Sequence, residues 1–310
     1  MSFVLLGILN SQAAQGGVEP LGPGVAGYFL GGESSGGTVS TIDKFAFPSE
    51  TRTTLASGMV TASQRHRSNA NSGVAGYSST GNLGSNIEKL FFSTDSSSTL
   101  ATTLSLSRSL SSGAANSGTA GYWFAGNAFP TTYDVVSKIN YASDITSTSN
   151  PVIRLRRAHT SAASKDDKAY VAGGQMDGGT SIDGSIEKYT FPTDTPSALA
   201  GTLSDAGTRR QLAGMADDQV AAYIGGGRTT AAVDKITFST DTVSSTTSLS
   251  AGKFSLAGMA NSQVAGYFGG SNLFVSTVER FAFPSDTRST LATGLSVGRG
   301  DLSALSNQGS

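Results

Sequence analysis

The amino-acid sequence predicts an all-β chain assembled from six copies of one four-stranded unit. Two observations carry that expectation. A segment of the type Val-Ala-Gly-Tyr recurs with its tyrosine at Tyr28, Tyr77, Tyr122, Tyr170, Tyr223 and Tyr267, at intervals of 49, 45, 48, 53 and 44 residues. A second segment, an aromatic followed by a polar turn, keeps the same phase: FAFPSET from Phe45, LFFSTD from Leu90, INYASD from Ile139, YTFPTDT from Tyr189, ITFSTDT from Ile236 and FAFPSDT from Phe281. No stretch sustains a 3.6-residue apolar period, so little helix is expected.

Each copy reads as four short strands. The Val-Ala-Gly-Tyr run is apolar and small, as suits a strand covered on both faces. A glycine pair follows it in four copies: Gly31-Gly32, Gly173-Gly174, Gly225-Gly226 and Gly269-Gly270. Next comes an alternating strand, as in Val278 to Phe283, with large apolar residues at every second position. Pro-Ser-Asp-Thr then supplies turn chemistry, because proline pre-sets φ and aspartate caps the bend. A Ser/Thr/Leu strand such as Ser289 to Leu295 follows, and a small-residue strand such as Ser255 to Asn261 leads into the next copy.

Four strands per 40–50 residues is the signature of a β-propeller. A solenoid competes, but it would need capping repeats with a polar outer face, and the first and last copies here are ordinary. The ends favour a ring. The first copy lacks its small-residue strand, since residues 10–23 read as linker, whereas the last carries a spare one, Leu302 to Leu305. The expected fold is a six-bladed β-propeller closed by the C-terminal strand completing the first blade, which leaves no long edge unpaired. Residues 1–22 form a peptide and linker, and 23–310 the propeller.

Composition bounds the function. With charged residues at 14% and a formal net charge of −1, the 310-residue chain has no general attraction to nucleic acid or anionic membrane. It contains no cysteine, hence no disulfide, thiolate metal site or cysteine nucleophile. No apolar run approaches the ~20 residues that span a bilayer. The run from Phe3 to Leu9 has the length of a secretory h-region, but no Lys or Arg precedes it.

The glycine pairs, with a basic residue 12 to 14 positions before the next tyrosine (Arg65, Arg108, Arg157, Arg210 and Lys253, with Arg299 for the C-terminal strand), resemble the kelch repeat. The resemblance covers about residues 24–310 and implies a propeller that binds partners. The chain departs from the kelch pattern in lacking tryptophan after the third strand, its one tryptophan being Trp123, and in having no BTB-like helical region. The opening MSFVLLGILNSQAAQGG is similar to the N-termini of structural proteins from phages of marine cyanobacteria, where such a leader precedes unrelated C-terminal domains. The FPSDT-type repeats look like those of marine phage structural proteins. Together these resemblances imply a virion protein: a tail fibre, another tail appendage, or a protein decorating the capsid.

Several residues stand out as sites. Phe3, Val4, Leu5, Leu6, Ile8 and Leu9 are too apolar to lie exposed, and their burial offers roughly 9–18 kcal/mol of gross transfer energy. They are the expected anchor to other virion proteins, in an oligomeric assembly; folding back onto their own propeller is the competing reading. The basic groups Arg65-His66-Arg67 and Arg154, Arg156, Arg157 and His159 exceed the repeat pattern and are candidates for facing a ligand, such as anionic saccharide or host protein. The pairs Asp43-Lys44, Glu88-Lys89, Glu187-Lys188, Asp234-Lys235 and Glu279-Arg280 read as structural, one member of each facing solvent. Two histidines make a poor metal site, and the loop from Asp177 to Gly184 lacks the final bidentate glutamate of a calcium loop. No cofactor is expected. No nucleophile, base and orienter emerge from the background of serines, so the expectation is a binding protein rather than an enzyme. The alternative is a cellular kelch-type module or a carbohydrate-active propeller.

Overall fold

The computed structural model describes residues 24–47, 49–149, 152–176 and 181–308. The N-terminal peptide, residues 1–22, lies outside the described residues. The fold is all-β, with six four-stranded antiparallel sheets among the described residues. Sheet 1 runs Ser303–Gln308, Gly24–Leu30, Ile42–Ala46, Thr51–Thr54. Sheet 2 runs Ser68–Asn71, Ala75–Ser79, Asn86–Phe91, Ser96–Thr103. Sheet 3 runs Ser112–Asn116, Ala120–Phe124, Val136–Asn140, Ile145–Ser149. Sheet 4 runs Ser161–Lys165, Lys168–Ala172, Ser185–Thr190, Thr195–Thr202. Sheet 5 runs Ala213–Asp217, Ala221–Gly225, Val233–Thr237, Thr242–Ser245. Sheet 6 runs Ala257–Asn261, Ala265–Gly269, Val278–Ala282, Thr287–Thr290. The C-terminal strand therefore completes the first sheet, Leu305 lying opposite Tyr28.

The recurring sequence markers turn out to be contacts between sheets. Each motif tyrosine stacks on the marker aromatic of the next sheet: Tyr28 on Phe92, Tyr77 on Tyr141, Tyr122 on Phe191, Tyr170 on Phe238 and Tyr223 on Phe283. Tyr267 of sheet 6 stacks on Phe47 of sheet 1, and centroid separations run from 4.6 to 5.6 Å. The tyrosine hydroxyl then donates to the turn acid beside that aromatic, as Tyr77 does to Asp144 at 2.8 Å and Tyr223 to Asp286 at 2.7 Å. The basic residue across the strand pair bonds the other carboxylate oxygen: Lys89 to Asp144 at 2.7 Å and Lys235 to Asp286 at 2.9 Å. The last latch joins Tyr267 and Arg280 to Glu50, across 217 and 230 residues of chain. The acids Glu50, Asp95, Asp144, Asp194, Asp241 and Asp286 all sit at positive φ, a conformation short acidic side chains tolerate in turns.

A second repeated feature runs through the middle. Two residues after the register position of the buried arginines, each repeat has a residue in the left-handed region: Arg65, Leu110, His159, Gln211, Ser255 and Asp301. Their backbones bond one another in sequence. Leu110 N–H donates to Arg65 O, His159 to Leu110, Gln211 to His159, Ser255 to Gln211, Asp301 to Ser255, and Arg65 back to Asp301, at 2.7–3.1 Å. The circuit is closed, and the first strands of the six sheets neighbour one another in the same order. The strands crowd so tightly that a Cβ on Gly113 would collide with the Ser68 carbonyl, which explains the small residues there.

The paired charges differ from expectation, since neither member simply faces solvent. Asp43, Glu88, Glu187, Asp234 and Glu279 are buried, and their basic neighbours are committed to the latches. Four of the acids meet a cation from the segment entering the same sheet: Arg299–Asp43 at 2.9 Å, Arg157–Glu187 at 2.7 Å, Arg209–Asp234 at 2.8 Å, and Lys253–Glu279. The sequence assigned Arg210 and Arg65 to this position; the structure puts Arg209 and Ser63 there instead. Sheet 2, lacking the arginine, satisfies Glu88 with the N–H groups of Val60 and Thr61, at 2.9 and 2.8 Å. Sheet 3 lacks the acid. There Arg108 is buried against the Trp123 carbonyl and Ser137, and burial lowers its pKa to about 10.

Candidate ligand-binding face

The loops between second and third strands and the segments entering the first strands lie at one end of the sheets. The tyrosine-to-basic spacing across the former is 16, 12, 16, 18, 12 and 13 residues, so the third repeat, at 16, carries a longer excursion than its neighbour, the second, at 12. In sheet 3 the excursion is a hairpin in which Asn127–Ala128 pairs with Thr131–Thr132, held to the adjoining segment by Asn127 N–H to Ser109 O at 2.9 Å. At its tip Phe129 is 83% exposed.

Beside it lies a groove of about 520 Å³. Phe129, Leu83 and Leu110 give it an apolar wall, and Asn82, Asn127 and Ser109 supply amide and hydroxyl groups. Arg65 and His159 complete the lining. Arg65 bonds Asp301 at 3.2 Å while leaving its side chain half exposed. Burial, with the charges of Arg67 and Arg210 nearby, lowers the His159 pKa to about 4, so it is neutral near pH 7 and acts as a polar, uncharged wall. Size and composition suit a small organic ligand such as a saccharide unit, with an aromatic face to lie against and amide and guanidinium groups to bond hydroxyls or a carboxylate. The groove lining contains no Asp or Glu.

The basic residues singled out in the sequence are thus dispersed. Arg65 and His159 line the groove. His66 is buried, and burial with the neighbouring Arg67 charge lowers its pKa to about 3. Arg157 is wholly buried on Glu187 and backbone carbonyls, and has no ligand-facing surface. Arg154 and Arg156 are exposed, the latter 3.5 Å from Asp134, and neither lines the groove. Arg67 points into the central bore. The anchor residues Phe3, Val4, Leu5, Leu6, Ile8 and Leu9, and residues 177–180 of the acidic loop, lie outside the described residues. Asn82, Leu83, Asn127 and Phe129 were not singled out in the sequence. The apolar Phe129-Pro130 seven residues after Tyr122 was the available signal, one that the sixth repeat shares in Leu273-Phe274 after Tyr267.

Among the described residues no three His, Asp or Glu side chains are placed to share a metal ion, and no helix is long and apolar enough to cross a membrane. No protein-family model matches the chain, and no curated protein matches it.

Proposed function

We propose that the chain is a six-bladed, kelch-like β-propeller serving as a non-enzymatic structural protein of a phage virion, in a tail appendage or on the capsid. In this reading the six sheets are the blades, and residues 3–9 anchor the chain to other virion subunits. The face bearing the groove is presented outward to a host surface glycan or protein. One observation carries the binding role. The charged and aromatic residues that recur in every repeat are consumed by contacts between and within sheets, while side chains that break the repeat gather at the groove: Asn82, Leu83, Asn127, Phe129 and Arg65. Surface that a repeat architecture does not need for its own closure is where it carries recognition. The virion assignment rests on the resemblance of the leader and the FPSDT-type repeats.

The test has two arms. A chain starting near Gly22 folds as a monomer but no longer enters particles, and Phe129→Ala in the full chain enters particles but binds host cells less. Full incorporation of the truncated chain removes the anchor. Unchanged cell binding by Phe129→Ala removes the groove from recognition. A truncated chain that instead turns over polysaccharide favours a carbohydrate-active propeller.

A further inference from the structure

At the start of the first strands, six equivalent positions face one another around the bore: Arg67, Ser112, Ser161, Ala213, Ala257 and Ser303. Five are small. The sixth is an arginine with no carboxylate at ion-pair distance among the described residues; Asp301, whose charge it feels, is paired with Arg65. Among the described residues the Arg67 guanidinium donates one hydrogen bond, to the His66 carbonyl at 2.7 Å, and none of them takes the other four of its five N–H donors. Two of the hydroxyls at its level also have protons to give. Ser161 Oγ is buried without a partner and Ser112 Oγ accepts from Thr160 at 3.0 Å, whereas Ser303 donates to Ser68 Oγ at 3.1 Å, because Ser68 gives its own proton to the Ala304 carbonyl at 2.8 Å. The space they enclose is about 50 Å³, room for roughly three to five water-sized spheres. A larger cavity of about 160 Å³, lined by all six first strands, adjoins it through shared Ser68, Gly113 and Gly214.

We propose that the bore holds one small oxyanion, of the size of phosphate or sulfate, bound by the Arg67 guanidinium and the hydroxyls of Ser112 and Ser161. Both hydroxyls can donate, a planar guanidinium matches two oxyanion oxygens at once, and the low-dielectric surroundings strengthen the pairing. The anion supplies the partly exposed Arg67 with the countercharge that the wholly buried Arg157, Arg209 and Arg299 obtain from carboxylates. It thereby ties sheet 2 to sheets 3 and 4 across the bore.

The protein is dialysed into a buffer whose only anion is a bulky sulfonate, and melting is followed as sodium phosphate is added, with sodium gluconate at equal ionic strength as control. Phosphate should raise the melting temperature saturably, by about 4 °C at a hundredfold excess over Kd, and gluconate should not. Arg67→Met should abolish the response, whereas Arg156→Met, on the exposed surface, should keep it. A phosphate response no larger than that of gluconate, or one retained in Arg67→Met, overturns the proposal. Should Arg67→Met fail to fold, wild-type crystals soaked in selenate decide the matter. An anomalous peak between Arg67 and Ser161 supports the site, and peaks confined to the outer surface refute it.

Discussion

Replacing Arg299 with methionine tests how the ring is closed. Arg299 and Asp43 are both 0% exposed and are joined at 2.9 Å across 256 residues. The guanidinium also donates to the Phe29 carbonyl at 3.3 Å, and Asp43 accepts from the Ser296 N–H at 2.9 Å and the Thr54 hydroxyl at 2.8 Å. Methionine fills much of the volume but strands a buried carboxylate with two of its partners left. Breaking a buried pair from one side costs about 3–5 kcal/mol. With an unfolding entropy of about 2.1 cal/mol/K per residue, a chain of this length has roughly 0.6 kcal/mol/K, so the melting temperature should fall by about 5–8 °C. Asp43→Asn in the same chain should recover more than half of the loss.

The pH dependence of the loss has a definite sign. In the wild type, burial pushes the Asp43 carboxyl up, but Arg299 and the hydrogen bonds outweigh it and hold the pKa below its ordinary value. That stabilisation is present above the unfolded pKa and is lost as pH falls through the folded one. Without Arg299 the burial is uncompensated and the folded pKa rises. The penalty is then full at pH 7 and shrinks as Asp43 protonates, so wild type and variant converge toward acid. Urea denaturation from pH 4 to 8 measures this. A loss below about 1 kcal/mol, or the same loss at both ends of the range, refutes the reasoning.

Four further outcomes are expected. Tyr223→Phe removes the hydroxyl bond to Asp286 but keeps the stack on Phe283, and should cost about 1 kcal/mol. Tyr267→Phe, at the latch between the last and first sheets, should cost the same, and a negligible cost there would mean the ring opens in solution. Gly113→Ala sets a methyl against the immovable Ser68 carbonyl, and denaturant titration should show a loss of about 1–3 kcal/mol; near-neutrality would contradict the tight bore. Burial holds His66 and His159 neutral with pKa values of about 3 and 4, below the ordinary 6.5. The unfolded chain therefore binds more protons between pH 6.5 and 4, and stability should fall there as pH is lowered, by up to about 1.4 kcal/mol per unit per histidine. A flat profile in wild type, or one not flattened by His66→Gln, would count against the buried neutral state.

Much of the molecule was legible because its signals are local. Alternation in Val278–Ala282, the turn acids and the small first strands depend on period-2 geometry, on φ preferences and on side-chain size, all written within a few residues. Recurrence of Tyr28 through Tyr267 multiplied those weak signals sixfold, and the spare C-terminal strand pointed to its pairing with Gly24–Leu30. Tertiary structure alone decided which of two adjacent arginines goes inside. Arg209 and Arg210 are equivalent in composition, yet Arg209 closes the 3-10 turn Ala206–Thr208 and meets Asp234, while Arg210, one residue on, reaches Gln175. Tertiary structure also gathered Leu83 and Phe129 from different repeats into one groove, and put Arg67 among serines of three other sheets. Those meetings depend on the path of a chain whose successive units are some 48 residues apart, and short-range pattern carries no information at that distance.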